Sequence, residues 1–336
     1  MFLESFKITG SAVLQIFLLG AIGYFLVKKN ILSEAGLNTL TRLVIEVTLP
    51  ILIFCQLVKD FSFSIYPNWW VFPLISIAIT IAGLAVGLVF TGFIKGSQNK
   101  LQFLSLVSFQ NSGYLPLALV AALLPKEKMD TMFIYLFLFL LGFNLIIWST
   151  GVYMLTFTRT KRFELGSLPR PFIAKLFAIL EKGRGLFSPP VVATSFSLVF
   201  IFLGLNKIVP QFLFNPLKMI GDSTLPLAML VVGGNLAEIR LEHIDKKAMF
   251  LVILAKLIIL PFLGLGLIMK FKFSELLGLL IVMQLAVPCA TSLSIITRHY
   301  KKEDSLISQG IFFSHIFSLI TLPVFLSLYF MITGIK

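Results

Sequence analysis

Residues 109–116 read Phe-Gln-Asn-Ser-Gly-Tyr-Leu-Pro and interrupt an apolar segment that extends roughly from residue 101 to residue 124. Pro116 lacks a backbone N–H and clashes with the carbonyl one turn earlier, and Gly113 weakens the same turn. Because lipid offers no hydrogen bonds, the backbone groups freed there must meet protein or water. The stretch predicts a transmembrane helix that is broken at a polar cavity. A simple proline kink is the alternative from this segment alone.

The composition is typical of a membrane protein. Of the 336 residues, 58% are hydrophobic and 13% are charged, and the mean hydropathy is +0.98. Apolar runs recur along the chain, each long enough to cross a hydrocarbon core of about 30 Å. We count ten such spans, centred near residues 18, 49, 82, 112, 145, 197, 225, 258, 286 and 320. The sequence therefore predicts an all-α polytopic membrane protein.

The net charge of +13 is distributed unevenly between alternate loops. One set of loops holds most of the basic residues, including the block from Arg159 to Arg184, and the other set holds few. Positive-inside bias places the basic set in the cytoplasm and both termini outside. The charge thus indicates topology and predicts no nucleic-acid partner. The expected location is a cytoplasmic membrane, either a bacterial inner membrane or a plasma membrane.

Spans 2 and 7 repeat one pattern in a single register. At an offset of 176, Arg42, Glu46, Thr48, Leu49 and Pro50 match Lys218, Asp222, Thr224, Leu225 and Pro226. Spans 4 and 9 repeat a second pattern at nearly the same offset, through Gln110 with Gln284 and Pro116 with Pro288. Five spans per repeat would invert the second copy, and interrupted helices in inverted repeats are typical of secondary transporters.

The predicted fold therefore has ten transmembrane helices in two inverted five-helix repeats. The first repeat is residues 1–157 and the second is residues 188–336, and a basic cytoplasmic linker, residues 158–187, joins them. Broken helices 4 and 9 are expected to cross at mid-membrane. The second half of each broken helix would present free N–H groups and a partial positive charge, which favour a carboxylate. The candidate substrate-binding residues are Gln110, Asn111, Ser112, Tyr114, Pro116, Gln284, Pro288 and Thr291.

Ionisable residues inside spans are costly and usually face a bundle interior or a water-filled cavity. Glu46 and Asp222 are candidates for coupling or gating, and each follows a cation by four residues, Arg42 and Lys218 respectively. A structural ion pair that does not titrate is the alternative for both. Arg42 and Lys218 belong to the same coupling or gating candidates, and Lys256 in span 8 could pair with Asp222 or attract an anion. Snorkelling to the interface is the alternative for all three cations.

The histidine and cysteine side chains are interpreted as structural. His315 in span 10 is interpreted as a packing histidine, with a proton relay as the alternative. Scattered histidines and two distant cysteines predict no metal site. The chain lacks a zinc-binding helix motif, a phosphate-binding Walker loop and a nucleophile-elbow motif, so we expect neither an enzyme nor a cofactor.

Several short segments occur in a distinctive order. They are Leu-Thr-Arg-Leu-Val at 40–44 leading to Leu-Pro at 49–50, Asn-Ser-Gly-Tyr-Leu-Pro at 111–116, Gly-Asp-Ser-Thr-Leu-Pro-Leu-Ala-Met at 221–229, Gln284 through Pro288, and Ile-Thr-Leu-Pro at 320–323. Together they resemble the auxin efflux carrier family, which includes plant PIN-type carriers and bacterial relatives described as malonate or other organic-acid permeases. The resemblance covers nearly the whole chain.

This resemblance implies ten helices in two inverted repeats, divided into a panel domain and a transport domain. It also implies a substrate site where helices 4 and 9 cross, and a homodimer. The central linker is short, unlike the long regulatory loop of many plant members. Auxin itself is not carried over, and the implied substrate class is a short organic or aromatic carboxylate.

The sequence as a whole favours a secondary transporter of small organic anions, auxin-like or malonate-like, that works by alternating access. H⁺ and Na⁺ are the possible coupling ions. An uncoupled uniporter or channel is one alternative. A membrane sensor that recruits a partner through the basic linker is another.

Overall fold

The structure, a computed structural model, describes residues 2–156, 188–239, 241, 243–271, 273–300 and 305–334. This part of the chain is almost entirely helical. Its helices are α1 (Phe2–Lys28), α2 (Glu34–Asp60), α3 (Val71–Phe93), α4 (Ser97–Ser108), α5 (Tyr114–Leu123), α6 (Lys126–Thr156), α7 (Pro189–Phe202), α8 (Gln211–Glu238), α9 (Lys246–Lys270), α10 (Glu275–Ala286), α11 (Ser292–His299) and α12 (Ser305–Thr333).

Seven of these helices are long and apolar enough to cross a membrane, namely α1, α2, α3, α6, α8, α9 and α12. Three apolar helices are shorter, α5, α7 and α10. The prediction of an all-helical membrane protein is confirmed. The spans expected near residues 112 and 286 fall where α4 gives way to α5 and α10 gives way to α11. The predicted linker, residues 158–187, lies outside the described residues.

The matching prolines of spans 2 and 7 lie beside irregular turns. In α2 a π-helical stretch, Val44–Thr48, directly precedes Leu49 and Pro50. In α8 the helical hydrogen bonding is interrupted at Ser223, three residues before Pro226. Proline provides no N–H for the preceding turn, so a regular i to i−4 ladder cannot continue through it. Both helices are therefore irregular at the positions where the sequence repeat is strongest.

Helices α1 and α8 pack backbone against backbone. A Cβ atom added at Gly23 would overlap the backbone of Leu230, and one added at Gly233 would overlap the backbone of Gly20. Small residues permit this close approach, which supplies the van der Waals contact that holds helices together in lipid. The glycines thus fix the distance between the first helix and α8.

A further glycine places the end of α4. A Cβ atom at Gly83 in α3 would lie 2.7 Å from the Cα atom of Ser108, the last residue of α4. The close approach of α3 therefore positions the point at which the chain leaves helical structure before residue 109.

We predict that Gly233→Ala lowers the thermal stability of the purified protein, because the added methyl group overlaps the α1 backbone. Overpacking of this kind costs about 1–3 kcal/mol or more. Gly266→Ala in α9 is the matched control, since nothing lies within 4 Å of its Cβ position. Alanine there gains up to about 1 kcal/mol of helix propensity. Unfolding midpoints in detergent should separate the two variants, and equal midpoints would contradict the close contact.

Candidate functional site

Two non-helical segments, residues 109–113 and 287–291, lie side by side, and we call them the paired segments. The Asn111 N–H donates to the Pro288 carbonyl at 2.8 Å, and the Ala290 N–H donates to the Phe109 carbonyl at 3.0 Å. The Gln284 side-chain amide also donates to the Ser112 carbonyl at 3.2 Å. Backbone groups that leave helical structure in a membrane need such partners. The paired segments therefore supply one another with the hydrogen bonds that lipid cannot.

Each paired segment leads directly into the N-terminus of a helix. The first leads into α5 at Tyr114, after Gly113, and the second leads into α11 at Ser292. The first backbone N–H groups of a helix have no intrahelical partner and carry partial positive charge. Two such ends consequently lie at the same place in the molecule.

A cavity of about 140 Å³ opens at these helix ends. Its described lining residues are Ile45, Leu49, Gln110, Asn111, Ser112, Gly113, Tyr114, Leu140, Phe143, Asn144, Trp148, Ser188, Pro189, Pro190, Ala290, Thr291 and Ser292. None of these residues carries a formal charge. The lining combines neutral hydrogen-bonding groups with three aromatic rings, and it has room for a small organic molecule.

The predicted binding residues divide into two groups. Five of them line the cavity: Gln110, Asn111, Ser112, Tyr114 and Thr291. The other three, Pro116, Gln284 and Pro288, are not among its lining residues. Gln284 and Pro288 hold the paired segments together through the hydrogen bonds described above, and Pro116 is buried in the first turn of α5.

Sequence reasoning did not assign several residues that line the cavity. Asn144 and Trp148 come from α6, one helical turn apart, where the helix passes into a π-helical stretch, Ile147–Gly151. Ser188 contributes from the start of α7. Asn144 and Trp148 could have been recognised as candidates, because a polar residue one turn before a tryptophan is unusual in an apolar span.

His315 of α12 contacts the site from behind Asn111. Its Nε2 atom lies 3.3 Å from the Asn111 Nδ2 atom, and its Nδ1 atom lies 2.8 Å from the Ile311 carbonyl oxygen. The imidazole is 1% exposed. The histidine thus belongs to the hydrogen-bonded surroundings of a cavity residue, which its position in the sequence did not reveal.

Lys256 of α9 is fully buried in a π-helical stretch, Leu254–Ile259. Within the described residues its ammonium group has no hydrogen-bond partner. Cys289, in the second paired segment, lies near it. Lys256 therefore lies near the paired segments without lining the cavity.

The four charged residues of spans 2 and 7 form two surface ion pairs. The Arg42 and Glu46 side chains meet at 3.1 Å and are 74% and 49% exposed. The Lys218 and Asp222 side chains form the corresponding pair and are about half exposed. Neither pair lines the cavity, although Ile45 and Leu49, on either side of Glu46, do. The structure thus places both pairs at the irregular turns of α2 and α8.

Comparison with known proteins gives a consistent result. A family model described as membrane transport protein matches residues 9–326. PIN-LIKES 7 of Arabidopsis thaliana is 22% identical over an alignment of 325 residues, and the match covers 80% of this chain and 81% of that protein. An uncharacterized transporter of Methanothermobacter thermautotrophicus is 26% identical over 313 residues, covering 93% of this chain and 95% of the relative. PIN-LIKES 1 of Arabidopsis thaliana is 28% identical, but the match covers only 42% of this chain and 33% of that protein.

The family model spans nearly the whole chain, and two relatives match most of its length. The long apolar helices agree with this match, since they make the chain an integral membrane protein. The resemblance found in the sequence motifs is confirmed, and the chain belongs to the auxin efflux carrier family of membrane transport proteins, as a transporter and not an enzyme.

Proposed function

We propose that the chain is a secondary transporter that carries small organic anions by alternating access, with the cavity at the paired segments as its substrate site. The observation that supports this most directly is that two helix N-termini meet in one cavity whose described lining holds no acidic side chain. A carboxylate is stabilised by the partial positive charge and the free N–H groups of such ends.

In this proposal the chain has ten membrane spans in two inverted repeats, residues 1–157 and 188–336. Helices α4 and α5 form broken span 4, and α10 and α11 form broken span 9. The paired segments are then the crossing point of the two broken spans. The hydrogen bonds between them, and the matching irregular turns of α2 and α8, support this arrangement.

The proposed substrate contacts follow from the chemistry of the lining. Ser112 and Thr291 offer hydroxyl donors to a carboxylate, Asn111 offers its amide NH₂ group when that group faces the cavity, and Gln110 lies beside them. Tyr114, Phe143 and Trp148 provide flat apolar surface for the rest of an aromatic or short aliphatic acid. Gln284, Pro288 and Pro116 act indirectly in this scheme, by holding the backbone that carries the donors.

Charged residues outside the cavity are assigned to gating and coupling. The ion pairs Arg42–Glu46 and Lys218–Asp222 lie where α2 and α8 are irregular. A change in the Arg42–Glu46 pair would alter α2, whose Ile45 and Leu49 border the cavity. Lys256 contributes a buried cation near the paired segments, which favours an anion there. The proposed coupling ion is H⁺ or Na⁺.

An uncoupled uniporter is the second candidate. It is favoured by the absence of any acidic side chain among the described lining residues, because a transported Na⁺ is usually held by oxygen ligands that include carboxylates. The assembly proposed by analogy with the family is a homodimer. The proposed location is the cytoplasmic membrane, with both termini outside.

We predict that the purified protein in proteoliposomes takes up at least one acid from a radiolabelled panel of malonate, benzoate and indole-3-acetate. Uptake would be measured without a gradient, with a proton gradient and with a sodium gradient, each at a controlled membrane potential. Accumulation above equilibrium under one gradient would establish a coupled carrier and identify the ion. Saturable uptake that responds only to membrane potential would establish the uniporter, and no uptake of any acid would contradict the anion assignment.

We predict that Asn111→Ala weakens binding of the transported acid by about tenfold or more, since a hydrogen bond to a charged group contributes about 1.5–3 kcal/mol. Asn99→Ala is the control, because Asn99 is exposed at the start of α4. Binding titrations on folded, monodisperse protein would measure both variants. Unchanged affinity in Asn111→Ala would remove Asn111 from the site.

We predict that Trp148→Ala weakens binding of indole-3-acetate more than binding of malonate, because only the aromatic acid can stack on the ring. A stacking contact contributes about 0.5–1.5 kcal/mol, or roughly a two- to tenfold change in the ratio of the two affinities. Trp70→Ala, at a tryptophan that is 52% exposed, should leave the ratio unchanged. Equal losses for the two acids would show that Trp148 does not select for aromatic substrates.

A further inference from the structure

Asn111 connects the cavity to His315. The asparagine lines the cavity, and its backbone N–H is committed to the Pro288 carbonyl. Its side-chain nitrogen, Nδ2, is directed at His315 Nε2. The side-chain oxygen, Oδ1, has no hydrogen-bond partner among the described residues and is not fully buried, so it is the amide atom that can reach the cavity. The orientation of the Asn111 amide thus determines whether its acceptor oxygen or its donor NH₂ group faces the cavity.

The two contacts of the imidazole fit one protonation state. A carbonyl oxygen can only accept, so the Nδ1 atom of His315 carries the hydrogen that it donates to Ile311. An amide NH₂ group can only donate, so Nε2 accepts from Asn111 and carries no hydrogen. His315 is therefore the neutral Nδ1–H tautomer in this conformation, and Asn111 presents Oδ1, an acceptor, to the cavity.

Protonation of His315 would reverse this arrangement. With a proton on Nε2 both ring nitrogens are donors, and the Asn111 NH₂ group can no longer face the ring. Rotation of the amide by half a turn brings Oδ1 to Nε2 and turns the NH₂ group to the cavity. A carboxylate oxygen, which only accepts, is repelled by the first orientation and bound by the second.

Burial and two hydrogen bonds dominate the surroundings of the His315 ring. Among the described residues, neither ring nitrogen is hydrogen-bonded to a charged side chain. Three titratable groups lie close to His315 on the elements around α12. They are Tyr24 of α1, which lines an apolar groove together with His315, Cys289 of the second paired segment, whose backbone N–H donates to the Ser314 hydroxyl, and Lys256 of α9, close to Cys289. Charged residues that contact α12 away from His315 include Asp245, whose N–H donates to Gln309, and Glu275, whose carbonyl accepts from Tyr329.

We propose that His315 couples proton binding to anion binding by setting the orientation of the Asn111 amide, so that the transporter takes up one proton with each substrate anion. This inference rests on the proposed function, since it assigns the coupling ion of the same site. His315 acts through Asn111 and is a positioning residue. The proton comes from water when the site is open, resides on Nε2 while the anion is bound, and returns to water when the anion leaves.

The claim that protonation of His315 sets the orientation of the Asn111 amide is tested without any substrate. The chain has three histidines, so ¹⁵N-histidine spectra of the protein in nanodiscs can be assigned with the variants His315→Gln and His243→Gln. We expect neutral His315 to show the Nδ1–H tautomer and the Asn111 side-chain amide signal to shift along the His315 titration. A neutral Nε2–H tautomer, or an Asn111 signal that ignores the titration, would overturn the inference.

The claim that anion binding is linked to proton binding is tested by measuring the affinity for indole-3-acetate between about pH 5.5 and 8, where an ordinary carboxyl group stays ionised. We expect affinity to rise as pH falls, at most about tenfold per pH unit for one linked proton, and the acid to raise the pH at which His315 titrates. His315→Gln should retain binding and lose the pH dependence, whereas His243→Gln, at an exposed loop residue, should keep it.

The outcomes separate the two proposals. If an acid binds with the same pH dependence in wild type and His315→Gln, the coupling inference fails and the transporter assignment stands. If none of malonate, benzoate and indole-3-acetate binds at any pH while the Asn111 signal follows His315, the substrate assignment fails and the amide switch stands. Should His315→Gln fail to fold, the wild-type spectra with and without indole-3-acetate decide the question.

Discussion

The hydrogen bonds between the paired segments are the constraint on which the rest of the structure depends. An unpartnered backbone group in lipid costs several kcal/mol, and neither segment, 109–113 or 287–291, can satisfy its own groups by forming helix. Each segment is tolerable only because the other lies beside it. Their pairing in turn fixes where α5 and α11 begin, and it brings two helix N-termini to one cavity. The pairing of the two segments therefore determines both where the chain leaves helical structure and where the cavity lies.

Much of this could be predicted from local sequence. Gly113, Pro116 and Pro288 mark breaks in the helices. The polar residues beside them indicate that these breaks face protein or water rather than lipid. The side chains that arrive from elsewhere could not be predicted. Asn144 and His315 reach the site through packing of α6 and α12, and the Asn111–His315 contact joins residues 204 positions apart. The exposure of the charged residues within the spans could not be predicted from sequence either. Glu46 and Asp222 are half exposed, whereas Lys256 is fully buried.

The repeated sequence pattern makes these residues comparable, although their chemistry differs. His315 follows Asn144 at close to the offset that relates Pro116 to Pro288. Span 5 thus provides an amide that lines the cavity, and span 10 provides an imidazole behind it. The surface ion pairs of α2 and α8, in contrast, match in charge and in spacing.

The contact between Gly20 and Gly233 has a consequence for how the protein is made. The two glycines are about 200 residues apart, so α1 enters the membrane long before its partner exists. At synthesis rates of about 5–20 residues per second, the delay is on the order of ten seconds or more. During that time the glycine face of α1 lacks its final partner, whereas α3, α4 and α6 can already pack on one another. The contact between α1 and α8 therefore joins the two halves of the chain late in synthesis.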